Sequence, residues 1–203
     1  MSWQESTKNK MLRLELPTDP RWVDIASISL ESILVDHAYC EQKAASSCIS
    51  LIIKFPEFDQ MVDVLTPVVA EEWGHFEAVM GQIRKRGYKF GFPRKDNYVI
   101  QLQSFVRKGG SRKDQLSELL LMNALIEARS CERFKLLWKN LDDKELCDFY
   151  HELMISEAGH YVNFIQLAKK YQDPEKVELR WQEWLAHEKE VLKELEIRGD
   201  RMH

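Results

Sequence analysis

Two segments of the sequence place a glutamate and a histidine three residues apart. Glu72 and His75 form the first pair, Glu157 and His160 form the second, and an aromatic residue follows each histidine. On a helix, residues three apart lie on the same face, with their Cβ atoms about 5–6 Å apart. A carboxylate and an imidazole in these positions can reach one metal ion, so each pair is a candidate set of metal ligands.

Two further glutamates precede these pairs at nearly equal spacing. Glu41 lies 31 residues before Glu72, and Glu127 lies 30 residues before Glu157. Each spacing covers two consecutive predicted helices joined by a short loop. One glutamate from each of two helices and a Glu-x-x-His pair from each of two others is the ligand set of di-metal helical bundles of the ferritin type. The sequence therefore predicts six metal ligands: Glu41, Glu72, His75, Glu127, Glu157 and His160.

Three neighbouring residues leave alternatives open. Glu71 lies four residues before His75 and could replace Glu72. Glu132 could replace Glu127, although it would break the matched spacing. His37 lies one helical turn before Glu41, and we expect it to hydrogen-bond to a ligand rather than to be an extra ligand. The other histidines, His151, His187 and His203, lack such neighbours and are predicted to be structural or solvated.

A glycine precedes each of the two ligand histidines. Gly74 and Gly159 are predicted to lie inside helices, where glycine costs about 1 kcal/mol relative to alanine. Their position beside the candidate ligands predicts that something needs the space a side chain would fill. The simpler alternative is that each glycine allows two helices to pack closely.

The types of ligand limit the choice of metal. Four carboxylates and two imidazoles without a thiolate suit a pair of iron or manganese ions better than zinc. The four cysteines form no Cys-x-x-Cys pair, which argues against a cysteine-ligated iron site or a zinc ribbon. We expect all four to be reduced thiols. Two iron or manganese ions in an apolar bundle can bind and activate O₂.

The elements that must position these ligands are long helices. Only 8 glycines and 6 prolines interrupt 203 residues, so long helices are favoured and a many-stranded sheet protein is not. Asp-Pro pairs, a Ser-x-x-Asp sequence and Pro56 mark helix starts and ends. Pro67 is expected to kink the second helix or to split off a short first piece. The predicted helices cover residues 22–53, 57–86, 98–107, 112–140, 143–171 and 174–199.

This pattern predicts an all-α fold in one domain spanning residues 1–203. We expect a ferritin-like four-helix bundle over about residues 20–171, with a long crossover between the second and third long helices and an extra C-terminal helix over about 174–199. No apolar stretch reaches the 18 residues of a membrane span. Residues 1–10 are polar and lack the apolar core of a signal peptide, so a cytoplasmic location is expected.

Positive charge is concentrated in the crossover. The whole chain has a net charge of −4, yet residues 81–113 contain ten basic residues against one acidic residue, Asp96. Five aromatic residues lie in the same segment: Tyr88, Phe90, Phe92, Tyr98 and Phe105. Such a segment is expected to meet a polyanion. The predicted RNA-binding residues are Arg84, Lys85, Arg86, Lys89, Arg94, Lys95, Arg107, Lys108, Arg112 and Lys113.

Four stretches of the sequence resemble one known family. Residues 36–41, 72–76 and 157–161, and above all the Glu-Ala-Arg-Ser-Cys-Glu-Arg-Phe run at 127–134, look like the tRNA 2-methylthio-isopentenyladenosine hydroxylase family. The resemblance implies a non-haem di-iron monooxygenase. Its substrate would be the isopentenyl group of a hypermodified adenosine next to the tRNA anticodon, and the six residues named above would be its iron ligands.

The same resemblance sets the expected cofactors and partners. They are two iron ions, O₂ as co-substrate and the tRNA anticodon stem-loop. The cations of the segment 81–113 would bind phosphates of this RNA, and its aromatic residues would stack on the bases. An external reductase or electron carrier is also expected, because the chain shows no flavin motif or cysteine-ligated redox centre. The alternatives are a ferritin-like iron-binding or ferroxidase protein, another di-metal oxidase, and a metal-free RNA-binding adaptor.

Overall fold

The computed structural model describes residues 12–203, which contain helices and no strands. The all-α prediction is confirmed for this part of the chain. The polar stretch 1–10, on which the expected cytoplasmic location partly rested, lies outside the described residues. None of the described helices is both long and apolar enough to span a membrane. In chain order they are α1 (Arg21–Ile28), α2 (Leu30–Lys54), α3 (Asp59–Lys85), α4 (Asn97–Phe105), α5 (Arg112–Asn140), α6 (Lys144–Tyr171) and α7 (Pro174–Glu194).

The described chain forms two compact units. The α1–α3 unit comprises residues 20–96 and 197–202. The α4–α7 unit comprises residues 12–19 and 97–196 together with His203. In the first unit α2 and α3 pack against each other, and in the second unit α5 packs against α6 while α7 contacts both. Each unit therefore contains one of the two matched helix pairs that the ligand spacing predicted.

The first predicted helix is two helices in the structure. Its apolar spacing continues from Trp22 to Ile53, but the backbone leaves the α-helical region at Ser29, which has φ −114° and ψ 38°. The Ser29 amide donates to Ala26 O, three residues back, and this tight turn ends α1. Serine is a weak helix former, because its hydroxyl competes for backbone hydrogen bonds. The uninterrupted helix over residues 22–53 was therefore wrong, whereas its end before Pro56 is confirmed.

Helix α3 runs unbroken from Asp59 to Lys85 with Pro67 inside it. The alternative in which Pro67 splits off a short first piece is therefore wrong. Proline removes one backbone donor from the helix. On either side of it, Met61, Leu65 and Val68 are buried, and this packing holds both halves of the helix.

The long helices of the α4–α7 unit begin at the predicted residues. Ser111 and Asp114 form a reciprocal capping box at the start of α5, with each side chain accepting a hydrogen bond from the other's backbone amide. Asp143 caps α6 by accepting from the Leu146 amide at 3.1 Å. Helix α7 begins at Pro174 but ends at Glu194, earlier than the predicted 199.

Because α7 ends early, residues 197–202 are not helical and pack within the α1–α3 unit. The Trp22 indole donates to Arg201 O at 3.2 Å, and the Met202 amide donates to Asp36 Oδ2 at 2.8 Å. Gly199 fits so closely against Ile25 that an added Cβ would lie 2.5 Å from the Ile25 backbone carbon. These contacts hold the C-terminal segment in place without a helix.

A buried ionic network in the α4–α7 unit centres on Arg129. Its guanidinium is fully buried and donates to Glu188 Oε1 at 2.7 Å, to Thr18 Oγ1 at 3.1 Å and to Leu16 O at 2.8 Å. It also forms an ion pair with Glu132. The network joins α5 to α7 and to the segment before α1. Two charged residues of the 127–134 run, Arg129 and Glu132, therefore have a structural role in this network.

Candidate metal centre

One group of three candidate ligands lies in the α1–α3 unit. Helix α2 supplies Glu41, and α3 supplies Glu72 and His75 three residues apart on one face. One ligand atom of each lies within 4.8 Å of the other two. His75 Nδ1 is 3.4 Å from Glu72 Oε2 and 3.6 Å from Glu41 Oε2. We call these three residues the first triad.

His37 contacts the first triad through Glu41. Its Nε2 lies 2.5 Å from Glu41 Oε1, and the imidazole is fully buried. The two residues are four apart on α2, so the helix itself sets this contact. The structure thus places His37 where a hydrogen-bonding partner of a ligand would lie. Its role as such a partner stays a prediction.

A second group of the same composition lies in the α4–α7 unit. Helix α5 supplies Glu127, and α6 supplies Glu157 and His160. One ligand atom of each lies within 4.8 Å of the other two, and His160 Nδ1 is 3.0 Å from Glu157 Oε2. All three side chains are buried. We call these residues the second triad.

The structure separates the predicted ligands from their alternatives. Glu72 is fully buried whereas Glu71 is exposed, so Glu72 is the residue that joins the first triad. Glu132 accepts hydrogen bonds from the Thr18 amide and hydroxyl and pairs with Arg129. It is engaged away from the second triad, which contains Glu127 instead.

The remaining described histidines pack against aromatic rings. His151 lies 4.1 Å from the Trp138 ring centre, His187 lies 4.1 Å from that of Phe105, and His203 lies 5.2 Å from that of Tyr98. None of the three belongs to either triad. This arrangement agrees with the structural role expected of them.

The donor chemistry of both triads fits a metal such as iron. Each offers two carboxylates and one imidazole, the ligand types that suit iron or manganese. Buried carboxylates are costly when ionised unless a cation or hydrogen bonds balance them. The nearby Cys131 thiol donates to Met154 O, and burial raises its pKa to about 12, with a smaller contribution from Glu157. This thiol stays protonated near neutral pH, which agrees with a thiolate-free site.

The space beside the two ligand histidines is open. A Cβ added at Gly74 or Gly159 would meet no atom within 4 Å other than those of its chain neighbours and of the nearby backbone of its own helix. Close packing between helices therefore does not explain either glycine. Both residues are exposed, so the requirement for space remains a prediction that substitution can test.

The predicted basic segment contributes to both units and is largely exposed. Nine of its ten basic residues are exposed, and Arg86 is half-buried. Among them, Arg94 pairs with Asp200 at 3.3 Å, and Arg107 pairs with Glu183 at 2.6 Å. Most of this positive charge is thus presented to solvent. RNA binding by these residues stays a prediction.

The aromatic residues of the basic segment divide into two groups. Tyr98 is buried and donates to Glu188, and the Phe105 ring packs at 5.0 Å from Trp184. These two hold α4 against α7, so the expectation that they stack on bases is wrong. Phe90 and Phe92 are exposed by 40% and 90%. Only these two and the half-buried Tyr88 remain as candidates within the segment.

Sequence reasoning missed several residues beside the first triad. Trp73 and Phe76 flank Glu72 and His75 on α3, and Tyr39 on α2 stacks on Phe90. The sequence feature that pointed to an aromatic environment was the aromatic residue after each Glu-x-x-His pair. That signal could not show which rings would meet.

A solved structure resembles this chain closely. It is a Synechococcus protein with aldehyde deformylating oxygenase activity, and it matches with a TM-score of 0.88 and 31% sequence identity. The match covers 94% of this chain and 94% of that protein. The all-α, ferritin-like fold class predicted from the sequence is confirmed.

Two curated relatives carry the same name, tRNA 2-(methylsulfanyl)-N(6)-isopentenyladenosine(37) hydroxylase. The Pseudomonas putida protein is 38% identical, with the match covering 79% of this chain and 77% of that protein. The Salmonella typhimurium protein is 27% identical, with coverage of 77% and 75%. The sequence model of the tRNA-(MS[2]IO[6]A)-hydroxylase (MiaE) family matches residues 5–203. This chain belongs to that family, as its resemblance in four short stretches had predicted.

Proposed function

We propose that this chain hydroxylates the isopentenyl group of a hypermodified adenosine next to the tRNA anticodon, as an O₂-dependent di-iron monooxygenase. Membership of the hydroxylase family and the shared name of its two curated relatives support the reaction and the substrate. The observation that carries the iron chemistry is the pair of triads. They have the same composition and lie on the helices that the sequence symmetry indicated.

In this proposal the six triad residues hold two iron ions. A glutamate from each of two helices and a Glu-x-x-His pair from each of two others is the arrangement expected of such a centre. When bound, the iron pair supplies the activation of O₂ that an unactivated C–H bond requires. The proposed ligands are Glu41, Glu72, His75, Glu127, Glu157 and His160.

The protein's own groups orient the ligands and exclude water. An ionised Glu41 can only accept a hydrogen bond, so His37 would donate from Nε2 in their 2.5 Å contact and hold the direction of the carboxylate. Glu72, Glu157 and His160 are at most 2% exposed, so bulk water is kept from them. The basic segment binds phosphates and so brings the substrate nucleoside to the protein.

The overall reaction requires two electrons from outside the chain. One oxygen atom of O₂ enters the C–H bond to give an alcohol, and the other leaves as water after taking up two electrons and two protons. The sequence has no Cys-x-x-Cys pair of the kind that ligates iron–sulfur clusters. We therefore assign electron delivery to a separate reductase or carrier, acting in the cytoplasm where tRNA is modified.

Mass spectrometry of nucleosides tests the proposal. Isopentenylated tRNA is incubated with the iron-loaded protein, O₂ and a reductant, then digested and analysed. The expected product is heavier by one oxygen atom, and ¹⁸O₂ should label it. Glu157→Gln and His160→Ala should abolish the product, whereas Glu152→Gln, an exposed glutamate on the same helix, should retain it. Full turnover by His160→Ala with its iron lost would contradict the proposal.

The close structural match favours one second candidate, an oxygenase acting on aldehydes. This activity would require the same iron ligands but no RNA-binding surface. Incubation of the iron-loaded protein with a long-chain aldehyde would show loss of the formyl group. Aldehyde turnover together with unchanged tRNA would establish this candidate in place of the tRNA hydroxylase.

A further inference from the structure

Four aromatic rings form a continuous cluster in the α1–α3 unit. The Trp73 and Phe76 rings on α3 have their centres 4.9 Å apart, and Phe76 meets Phe90 edge-on at 6.2 Å. Phe90, in the loop after α3, stacks on Tyr39 of α2 at 4.8 Å. We call these four residues the aromatic cluster. Its ring contacts join two helices and a loop.

The aromatic cluster lies on the same turns of α2 and α3 as the first triad. Trp73 follows Glu72 in the chain and Phe76 follows His75, while Tyr39 lies two residues before Glu41. Backbone contacts also fix the loop that carries Phe90. The Tyr39 hydroxyl donates to Gly91 O at 2.8 Å, and the Lys89 amide donates to Glu31 at 3.0 Å. The rings are therefore held in position before any ligand binds.

Two rings of the cluster are exposed, and so is a third phenylalanine in the same loop. Trp73 is 46% exposed, Phe90 is 40% exposed, and Phe92, two residues further along the loop, is 90% exposed. Large apolar rings grouped at a surface commonly mark an interaction site. Here the exposed Trp73 and Phe90 rings belong to a cluster of rings in mutual contact and are not isolated side chains.

Positive charge is concentrated in the segment that carries Phe90 and Phe92. The stretch 84–96 contains six cations and one acid, Asp96, which accepts from Lys43 at 2.6 Å. Lys89 directly precedes Phe90 in the chain, Lys95 follows Phe92 by three residues, and both lysines are exposed. An aromatic surface lined by cations is complementary to an unstacked nucleic acid strand, whose bases offer flat apolar faces and whose phosphates are anionic.

We propose that the aromatic cluster, extended by Phe92, is a platform on which unpaired bases of the tRNA anticodon loop stack. Nearby cations, among them Lys89 and Lys95, bind the phosphates of the same strand. The inference rests on the proposed function, because it places the loop beside the first triad. It specifies single-stranded bases, since paired bases in a duplex do not offer their faces to a protein.

Binding of two RNAs to the full-length protein tests the platform. One is a synthetic anticodon stem-loop, and the other is a fully paired RNA with the same number of phosphates. Trp73→Ala and Phe92→Ala should each weaken stem-loop binding about 5- to 140-fold, as expected for a lost base stack. Both should leave duplex binding unchanged. The control is Ile53→Ala, which removes an exposed apolar side chain of α2 outside the cluster.

Salt dependence separates the aromatic from the cationic contribution. Lys89→Gln should lower the slope of log K against log salt by about one, whereas Phe92→Ala should lower the affinity without changing the slope. Wild-type stem-loop affinity in both aromatic variants would overturn the platform. So would variants that bind RNA normally but lose turnover only with a protein reductase, because the surface would then serve the electron donor.

The outcome for the platform is distinguishable from the outcome for the proposed function. If tRNA is hydroxylated and the aromatic variants bind the stem-loop normally, the platform is wrong and the hydroxylase stands. If the variants lose stem-loop binding but no hydroxylated nucleoside is ever formed, the platform stands and the proposed reaction is wrong.

Discussion

Replacing Arg129 with methionine should destabilise the protein strongly. The guanidinium and the Glu188 carboxylate are both fully buried, 2.7 Å apart, and Arg129 also donates to Thr18 and Leu16 O. Methionine has a similar length but leaves Glu188 without its cation. Breaking a buried ion pair by removing one partner costs about 3–5 kcal/mol. For a chain of this size, that loss lowers the melting temperature by roughly 6–20 °C.

The loss of stability in Arg129→Met should increase as pH rises. Burial raises the pKa of the Glu188 carboxyl, and Arg129 opposes this shift. Without Arg129 the pKa in the folded protein rises further above its unfolded value of about 4.3. A carboxyl whose folded pKa is raised loses stability as pH increases through that range. The deficit of the variant should therefore be larger at neutral pH than near pH 5.

Urea unfolding followed by circular dichroism measures these differences. The matched control is Lys193→Met on α7, which removes a half-exposed lysine paired with the exposed Glu190 and should change stability little. The double variant Arg129→Met with Glu188→Gln should be more stable than Arg129→Met alone, because the fully buried residue 188 then carries no charge that needs a cation. A loss below about 1 kcal/mol in Arg129→Met, or no recovery in the double variant, would refute this reasoning.

Three further substitutions test local features of the fold. Gly159→Ala should raise the free energy of unfolding by about 0.5–1 kcal/mol, because the site is helical and open. Reduced hydroxylation by this stable variant would show that the substrate needs the space that the added methyl group fills. Gly199→Ala should destabilise by roughly 1–3 kcal/mol through its collision with Ile25, whereas Gly81→Ala, at an open site in α3, should not; equal melting temperatures for these two would contradict the packing described. Asp114→Ala should lower the free energy of unfolding by about 1 kcal/mol, because it removes the capping box. Hydrogen bonds from Ser111 lower the pKa of Asp114. The stabilisation by Asp114 should therefore be lost as pH falls through that lowered pKa. A cost that did not decrease in acid would argue against the cap.

Helix starts were predictable because local chemistry determines them. Ser111, Asp143 and Pro174 act within one turn of the chain, and the structure begins helices at the residues that follow or include them. The break at Ser29 was not predictable, because the apolar spacing continues across it. The early end of α7 depends on contacts of residues 197–202 with Trp22 and Asp36, which are far away in sequence.

The same distinction applies to the candidate site. The Glu-x-x-His pairs are local, and the third member of each triad followed from the matched spacing of two helices. The structure places Glu41 and Glu127 within their triads, as that spacing indicated. Periodicity could not show that Glu132 belongs to the Arg129 network. It also could not show that Tyr39, Trp73 and Phe90 meet in one cluster, because side-chain packing between separate segments decides both.

The iron content of the full-length protein is the most direct test of the central claim, that six side chains hold two iron ions. After anaerobic loading with ferrous iron and removal of excess metal, elemental analysis should find about two iron ions per chain in the wild type and in Glu152→Gln. His75→Ala and His160→Ala should each hold about one or none, while remaining folded by circular dichroism. Two iron ions per chain in both histidine variants, or none in the wild type, would contradict the account.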